Sequence, residues 1–286
     1  TSTAKKSIGM YAKDSGDVKN NKEIEVLAEN GVGIFVSDTG KGENTAPNGK
    51  ILLENKETVG IFAKNNGNGH TAKNSGTINL GKDDGTTTEE SLIGMFAQAE
   101  SGKKASVKNE TSGIINVNTK KSVGMYAQND PANAVGDVDL HNAGTININN
   151  TGSAGIYAPK RTVSKVGKIS LTDSVTKSVA TYISSGAKIT DTSTAEINLG
   201  TSGKNIAYYV KNKDTSLGTS ADLGKVTGYG IGVYLTGTSS TDKAILAANA
   251  PEFNFKNNGA TGDGIIGLYV KGDTDISAYT KTITVG

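Results

Sequence analysis

A five-residue apolar motif, [I/V/A]-[G/A]-x-[Y/F]-[A/V/I/L], recurs ten times between positions 8 and 270, and this repeat constrains the fold more than any other feature. The first four copies are Ile8-Gly9-Met10-Tyr11-Ala12, Val32-Gly33-Ile34-Phe35-Val36, Val59-Gly60-Ile61-Phe62-Ala63 and Ile93-Gly94-Met95-Phe96-Ala97. Six more occupy 123–127, 154–158, 179–183, 206–210, 231–235 and 266–270. Their glycine-equivalent positions, Gly9 to Gly267, are spaced by just under 29 residues on average. A period between 20 and 50 residues marks a solenoid, propeller or array.

A second motif lies between the copies, as Lys22-Glu23-Ile24-Glu25-Val26, Gly76-Thr77-Ile78-Asn79-Leu80, Gly113-Ile114-Ile115-Asn116-Val117 and Gly144-Thr145-Ile146-Asn147-Ile148. A third, weaker segment precedes it, as in Val18-Lys19-Asn20, Ala72-Lys73-Asn74, Val107-Lys108-Asn109, Leu140-His141-Asn142 and Phe255-Lys256-Asn257. All three alternate with period two and lack a 3.6-residue pattern, so they read as short strands. Three strands per unit predict one rung of a three-sided parallel β-helix; a propeller blade needs four strands and about 40 residues. The expected fold is all-β: about ten rungs of roughly 25–35 residues, one array over 1–286 with a loop insertion at 236–251.

The spacing from the second motif to the glycine is nine residues from Ile24 to Gly33, Ile51 to Gly60, Ile115 to Gly124 and Ile146 to Gly155. That turn is therefore nearly constant, except for extra residues at 81–91. Other length variation falls after the aromatic motif, at 37–48, 128–137 and 236–251. Strict alternation turns the first, third and fifth motif positions inward, as for Ile8, Met10 and Ala12, and leaves glycine and the aromatic outside. Stacked rungs then align Tyr11, Phe35, Phe62, Phe96, Tyr126, Tyr157, Tyr182, Tyr209, Tyr234 and Tyr269 in one column, ten of the fifteen aromatics. The column has two readings: rings that stabilise a sheet by stacking, or a stripe that binds a glycan or a partner's apolar surface. The insertion adds Ser239, Thr241 and Lys243, with the apolar stretch 244–248, as a second candidate contact surface.

The composition narrows the function classes. Thirty Lys and Arg against 28 Asp and Glu leave a net charge of +2, too small a field to indicate nucleic acid. The absence of Cys removes disulfides, thiolate metal sites and a Cys nucleophile. No apolar run reaches the length of a membrane span. The chain starts without Met and ends on a strand-like Thr282-Ile283-Thr284-Val285-Gly286, which reads as a piece cut from a longer repeat, with open ends expected to associate end to end.

A ladder supplies like residues, whereas catalysis needs convergent unlike ones. His70 and His141 lie about two and a half rungs apart and read as solvated polar positions. Asp83-Asp84 with Glu89-Glu90, and Asp273 with Asp275, lack the spacing of a calcium loop and read as solvated charge. Gly228-Tyr229-Gly230-Ile231-Gly232 precedes no helix, so a phosphate cradle is not indicated. One arginine, Arg161, and no run of carboxylates argue against a polysaccharide-cleaving β-helix enzyme, the rival reading. No catalytic, cofactor or metal residue is expected.

The repeated Ser-Val-Gly-Met-Tyr-Ala at 122–127 and Gly-Thr-Ile-Asn-Ile at 144–148 resemble passenger domains of large outer-membrane autotransporter adhesins, the fusobacterial ones in particular. The resemblance runs over nearly the whole chain. It implies a right-handed β-helix on the outer-membrane surface of a Gram-negative cell, anchored through a separate C-terminal β-barrel. It also implies a role in virulence: attachment to host or bacterial cells through a surface protein or glycan, or a stalk displaying a binding tip. Ala180 and Ala207 replace the usual Gly, and Thr181 and Tyr208 the usual Ile or Met, so irregular rungs are expected there.

Overall fold

The computed structural model describes residues 6–129, 137–190, 195–212, 215, 217, 225–246, 253–256, 265–280 and 282–286. These residues form strands and turns without a helix. Three parallel sheets form the faces of the molecule; among the described residues two run its length and one stops at Lys188–Ile189. The first has ten strands, from Ile8–Lys13 to Ile265–Lys271; the second seven, from Asp17–Asn20 to Lys188–Ile189; the third ten, from Glu23–Val26 to Ile283–Val285. The chain visits the sheets in that order and returns one rung further on, which makes a right-handed parallel β-helix.

The repeat length dictates this register. Each aromatic strand pairs with its copy one rung away, Tyr11 opposite Phe35, Phe96 opposite Tyr126, Tyr234 opposite Tyr269. The third strands align the same way, Ile115 between Ile78 and Ile146. Ile34, Ile61, Met95, Met125 and Ile156 from the first sheet meet Ile51, Ile78, Ile115 and Ile146 from the third in one continuous core, all with no solvent exposure.

Simple alternation fails at one place. The motif glycines Gly33, Gly60, Gly94, Gly124 and Gly155 are buried rather than outward, while the first position, Val59 excepted, stands partly exposed: Ile8 is half exposed, and Val32, Ile93, Val123 and Ile231 are intermediate. Two successive residues, the glycine and the third position, both face inward, and the glycines drop out of the paired register in every rung from Ile8 to Ile156. Space is the reason. A Cβ on Gly94 would lie 2.6 Å from the Gly124 carbonyl oxygen and 2.9 Å from Ile115 Cγ2; Gly60 meets Gly94 and Ile78, and Gly124 meets Gly155 and Ile146, in the same way. The glycine lets the aromatic strand bend onto the third sheet.

Asn20, Asn44, Asn74, Asn109 and Asn142 close the second strands and form a buried ladder, each Nδ2 donating to the next Oδ1 at 2.8 Å. Asn142 ends it by donating to the Val166 carbonyl. Buried amides are tolerated because every rung satisfies the previous one.

The expected irregularity at Ala180 and Ala207 does not occur in the ladder: Val179, Thr181 and Tyr182 pair in register with Ile206, Tyr208 and Tyr209. Tyr208 is instead a fully buried core residue, and the hydroxyl of Thr181 beside it has no hydrogen-bond partner. The insertion is not all loop. Ala244–Ile245 pairs with Thr274–Asp275, and Ala244 and Leu246 are buried, so this part of 244–248 belongs to the core. Residues 247–251, most of 128–137 and Asn257 lie outside the described residues.

Candidate functional site

The aromatic column forms as expected. Each ring occupies the fourth motif position, where the strand points outward after its two inward residues, and consecutive centroids are 4.4–5.4 Å apart from Tyr11 to Tyr269. Seven of the nine steps are stacked, down to an interplanar angle of 3° at Tyr157–Tyr182; Phe35–Phe62 and Tyr126–Tyr157 are edge-on. Such pairs add about 0.5–1.5 kcal/mol each beyond burial. Stacking also consumes ring faces. The column therefore presents mainly ring edges to solvent, apolar at Phe35, Phe62 and Phe96 and hydroxyl-bearing from Tyr126 onward.

Only the end rings are widely exposed, Tyr11 at 51% and Tyr269 at 40%. Burial of the inner rings disfavours phenolate: it raises Tyr126 and Tyr209, and pushes Tyr157 up to about 12 with help from Tyr182 and Tyr126. These three hydroxyls are neutral at physiological pH.

Ser239, Thr241 and Lys243 sit on a tight turn at the partly exposed surface, Ser239 Oγ lying 3.2 Å from Thr241 Oγ1. Thr238 Oγ1 donates to Asp242 at 2.6 Å and fixes the turn.

The two histidines are not separately solvated. The bend at 65–71 is held where Asn66 bonds both backbone groups of buried Ser106 and Ser106 Oγ accepts from the His70 N–H. This carries His70 over the second sheet to 5.2 Å from His141, centroid to centroid. His70 Nε2 lies 2.8 Å from Asp139 Oδ2, Ser164 Oγ donates to the same oxygen at 2.8 Å, and His141 Nδ1 lies 3.0 Å from Ser164 Oγ. Burial, then the neighbouring His70, Lys108 and Lys165, hold His141 below its ordinary value against the pull of Asp139. Sequence spacing hid this group, because His70 lies in a bend whose reach across rungs no period encodes.

The acidic loop pairs are explained locally. Asp84 accepts from the N–H and hydroxyl of Thr86, Asp275 from those of Ser277, and Glu90 pairs with Lys121. Among the described residues no group of three His, Asp or Glu is arranged to hold a metal ion.

With this geometry in place, comparison with known proteins is informative for one part of the chain. Residues 1–113 match the family described as BigA third pectate lyase-like domain. The match spans the first four copies of the aromatic motif and agrees with the parallel β-helix. No curated protein and no solved structure matches the chain.

Proposed function

We propose that this chain is a non-catalytic segment of a bacterial cell-surface adhesin, a β-helical stalk whose outer faces carry attachment. The observation behind the reading is the uninterrupted column of ten rings in register, which presents an aromatic edge on every rung instead of one convergent site. The match of 1–113 to a pectate lyase-like domain of BigA supports the surface-protein reading. At its finest, the proposal is an autotransporter passenger on the outer membrane of a Gram-negative bacterium, binding a surface protein or glycan of host or bacterial cells. Its terminal rungs are expected to stack on further copies, which sedimentation over a concentration series tests.

Binding of the purified chain to host and bacterial cells tests the adhesive part, with Tyr157→Ala and Tyr182→Ala as column variants. Saturable binding is expected; none would leave a stalk alone. The enzyme reading retains one observation in its favour, the unlike side chains of His70, Asp139, His141 and Ser164. Turnover of acidic or neutral polysaccharides, abolished by His70→Gln, would replace the adhesin reading.

A further inference from the structure

The extra residues at 81–91 belong to no part of the reading above. Ile78 and Gly94 are sixteen residues apart, where the corresponding spacing is nine in the rungs of Gly33, Gly60, Gly124 and Gly155. The added loop stands against the outer face of the third sheet and walls a groove of about 410 Å³ lined by Lys82, Asp83, Asn116, Asn118, Asn149 and Asn150. That volume lies within the range of small-ligand sites, roughly 300–1,000 Å³.

The lining is amide-rich and fixed. Asn116 Nδ2 donates to Asn79 Oδ1, Asn147 Nδ2 to Asn116 Oδ1, and Asn149 Nδ2 to Asn118 Oδ1, each at 2.8 Å. Asn118 in turn donates to the Gly81 carbonyl and to Asp83 Oδ1, tying the loop to the ladder. Asn116, Asn149 and Asn150 each spend one N–H in bonds of this kind and retain a second, while Asn118 spends both on the loop, so the groove keeps free amide donors beside its carbonyl acceptors. Lys82 pairs with Glu54 at 2.8 Å, and Asp83 keeps its charge while accepting from Asn118, so the lining offers no unpaired cation to an acidic ligand. Short polar residues continue the face in register, Asn147 to Ser170 to Asn198 to Thr227. A second groove, of about 220 Å³, lies over their far end.

A ligand matched to this surface has many groups that donate and accept at once, little charge, and an elongated shape. We infer that the groove walled by residues 81–91 binds a neutral oligosaccharide lying along the helix axis. This deepens the adhesin proposal by naming a ligand class, and moves its site from the aromatic column to the third sheet. The ladder holds the amides in place before binding, which limits the ordering entropy a saccharide would otherwise face.

The test is a titration of the whole chain with neutral oligomers of hexoses and N-acetylhexosamines, beside uronate oligomers, with and without EDTA. Wild type is expected to bind a neutral oligomer independently of EDTA. Asn149→Ala and Asp83→Ala, both at exposed positions, are expected to weaken it about tenfold or more with unchanged circular dichroism, and Lys188→Ala, exposed on the second sheet, to leave it unchanged. The inference falls if no neutral oligomer binds, if both groove variants bind like wild type, if EDTA abolishes binding, or if Lys188→Ala weakens it equally. Cell binding without saccharide binding would sink this inference and leave the adhesin reading standing. Absence of both would remove the two together.

Discussion

At the scale of single residues, the molecule shows where a repeat has been made to accept a misfit. Thr181 stands between Ile156 and Tyr208, at the position where earlier rungs carry Ile or Met, and its buried hydroxyl finds no partner. An unsatisfied buried polar group costs about 1–3 kcal/mol. Thr181→Val removes the hydroxyl and keeps the shape, so it is expected to raise stability by about 1 kcal/mol in urea unfolding. His141 gives a pH dependence. Its folded-state proton affinity lies below the ordinary value of 6.5, so the unfolded chain takes up this proton first. Stability from this group is complete above pH 6.5 and is lost as pH falls through the folded value, at no more than about 1.4 kcal/mol per pH step. His141→Gln should flatten that part of a melting-temperature profile between pH 7 and 5.

At the scale of the strand and its turn, much of the architecture was legible from the chain. The periods and the alternation of apolar residues identify the sheets, their order and the outward column, because a rung that recurs every 29 residues or so has one way to stack. What alternation misread was the glycine. Its inward turn depends on the distance to a carbonyl in the next rung and to an isoleucine in another sheet, neither of which a local pattern contains. Gly94→Ala is expected to cost about 1–3 kcal/mol, since Gly94 lies between two other glycine rungs. Ala180 and Ala207 hold a methyl at the corresponding position in two adjacent rungs, flanked by Gly155 and Gly232. The asparagine column was visible as recurring punctuation, but its burial was not. Asn109→Ala strands the Asn74 donor and the Asn142 acceptor, and should lower stability by about 1–3 kcal/mol in the same assay. The candidate sites were less legible than the fold. The aromatic column could be counted, whereas the His70 cluster and the amide groove are assembled by bends and by one added loop whose positions no repeat predicts.

At the scale of the whole molecule, stability is a sum over neighbouring rungs. Among the described residues, eight of the nine large hydrophobic residues with exposed surface lie on the first or last rung, among them Ile8, Leu27, Ile266 and Val285; Ile114 is the exception. Uncovered apolar surface is thus concentrated at the two ends, and each described interior rung is covered by its neighbours. Excision of 155–179, which joins Ala154 to Ala180 and removes one turn of the helix, is expected to leave a cooperatively folded β-protein with a modestly lowered melting temperature. Loss of the β circular dichroism signal would show that the rungs are not independent in this way.

The column of rings also has an optical consequence. The chain has no tryptophan, and six tyrosines from Tyr126 to Tyr269 follow one another at 4.4–5.4 Å. Excitation absorbed by one phenol passes readily to the next at such separations, so its emission should be strongly depolarised, and one quencher placed beside the row should darken several members at once. A break in the stack, by a misplaced rung or a bound ligand, would be read as recovered anisotropy, giving the molecule a built-in gauge of its own continuity.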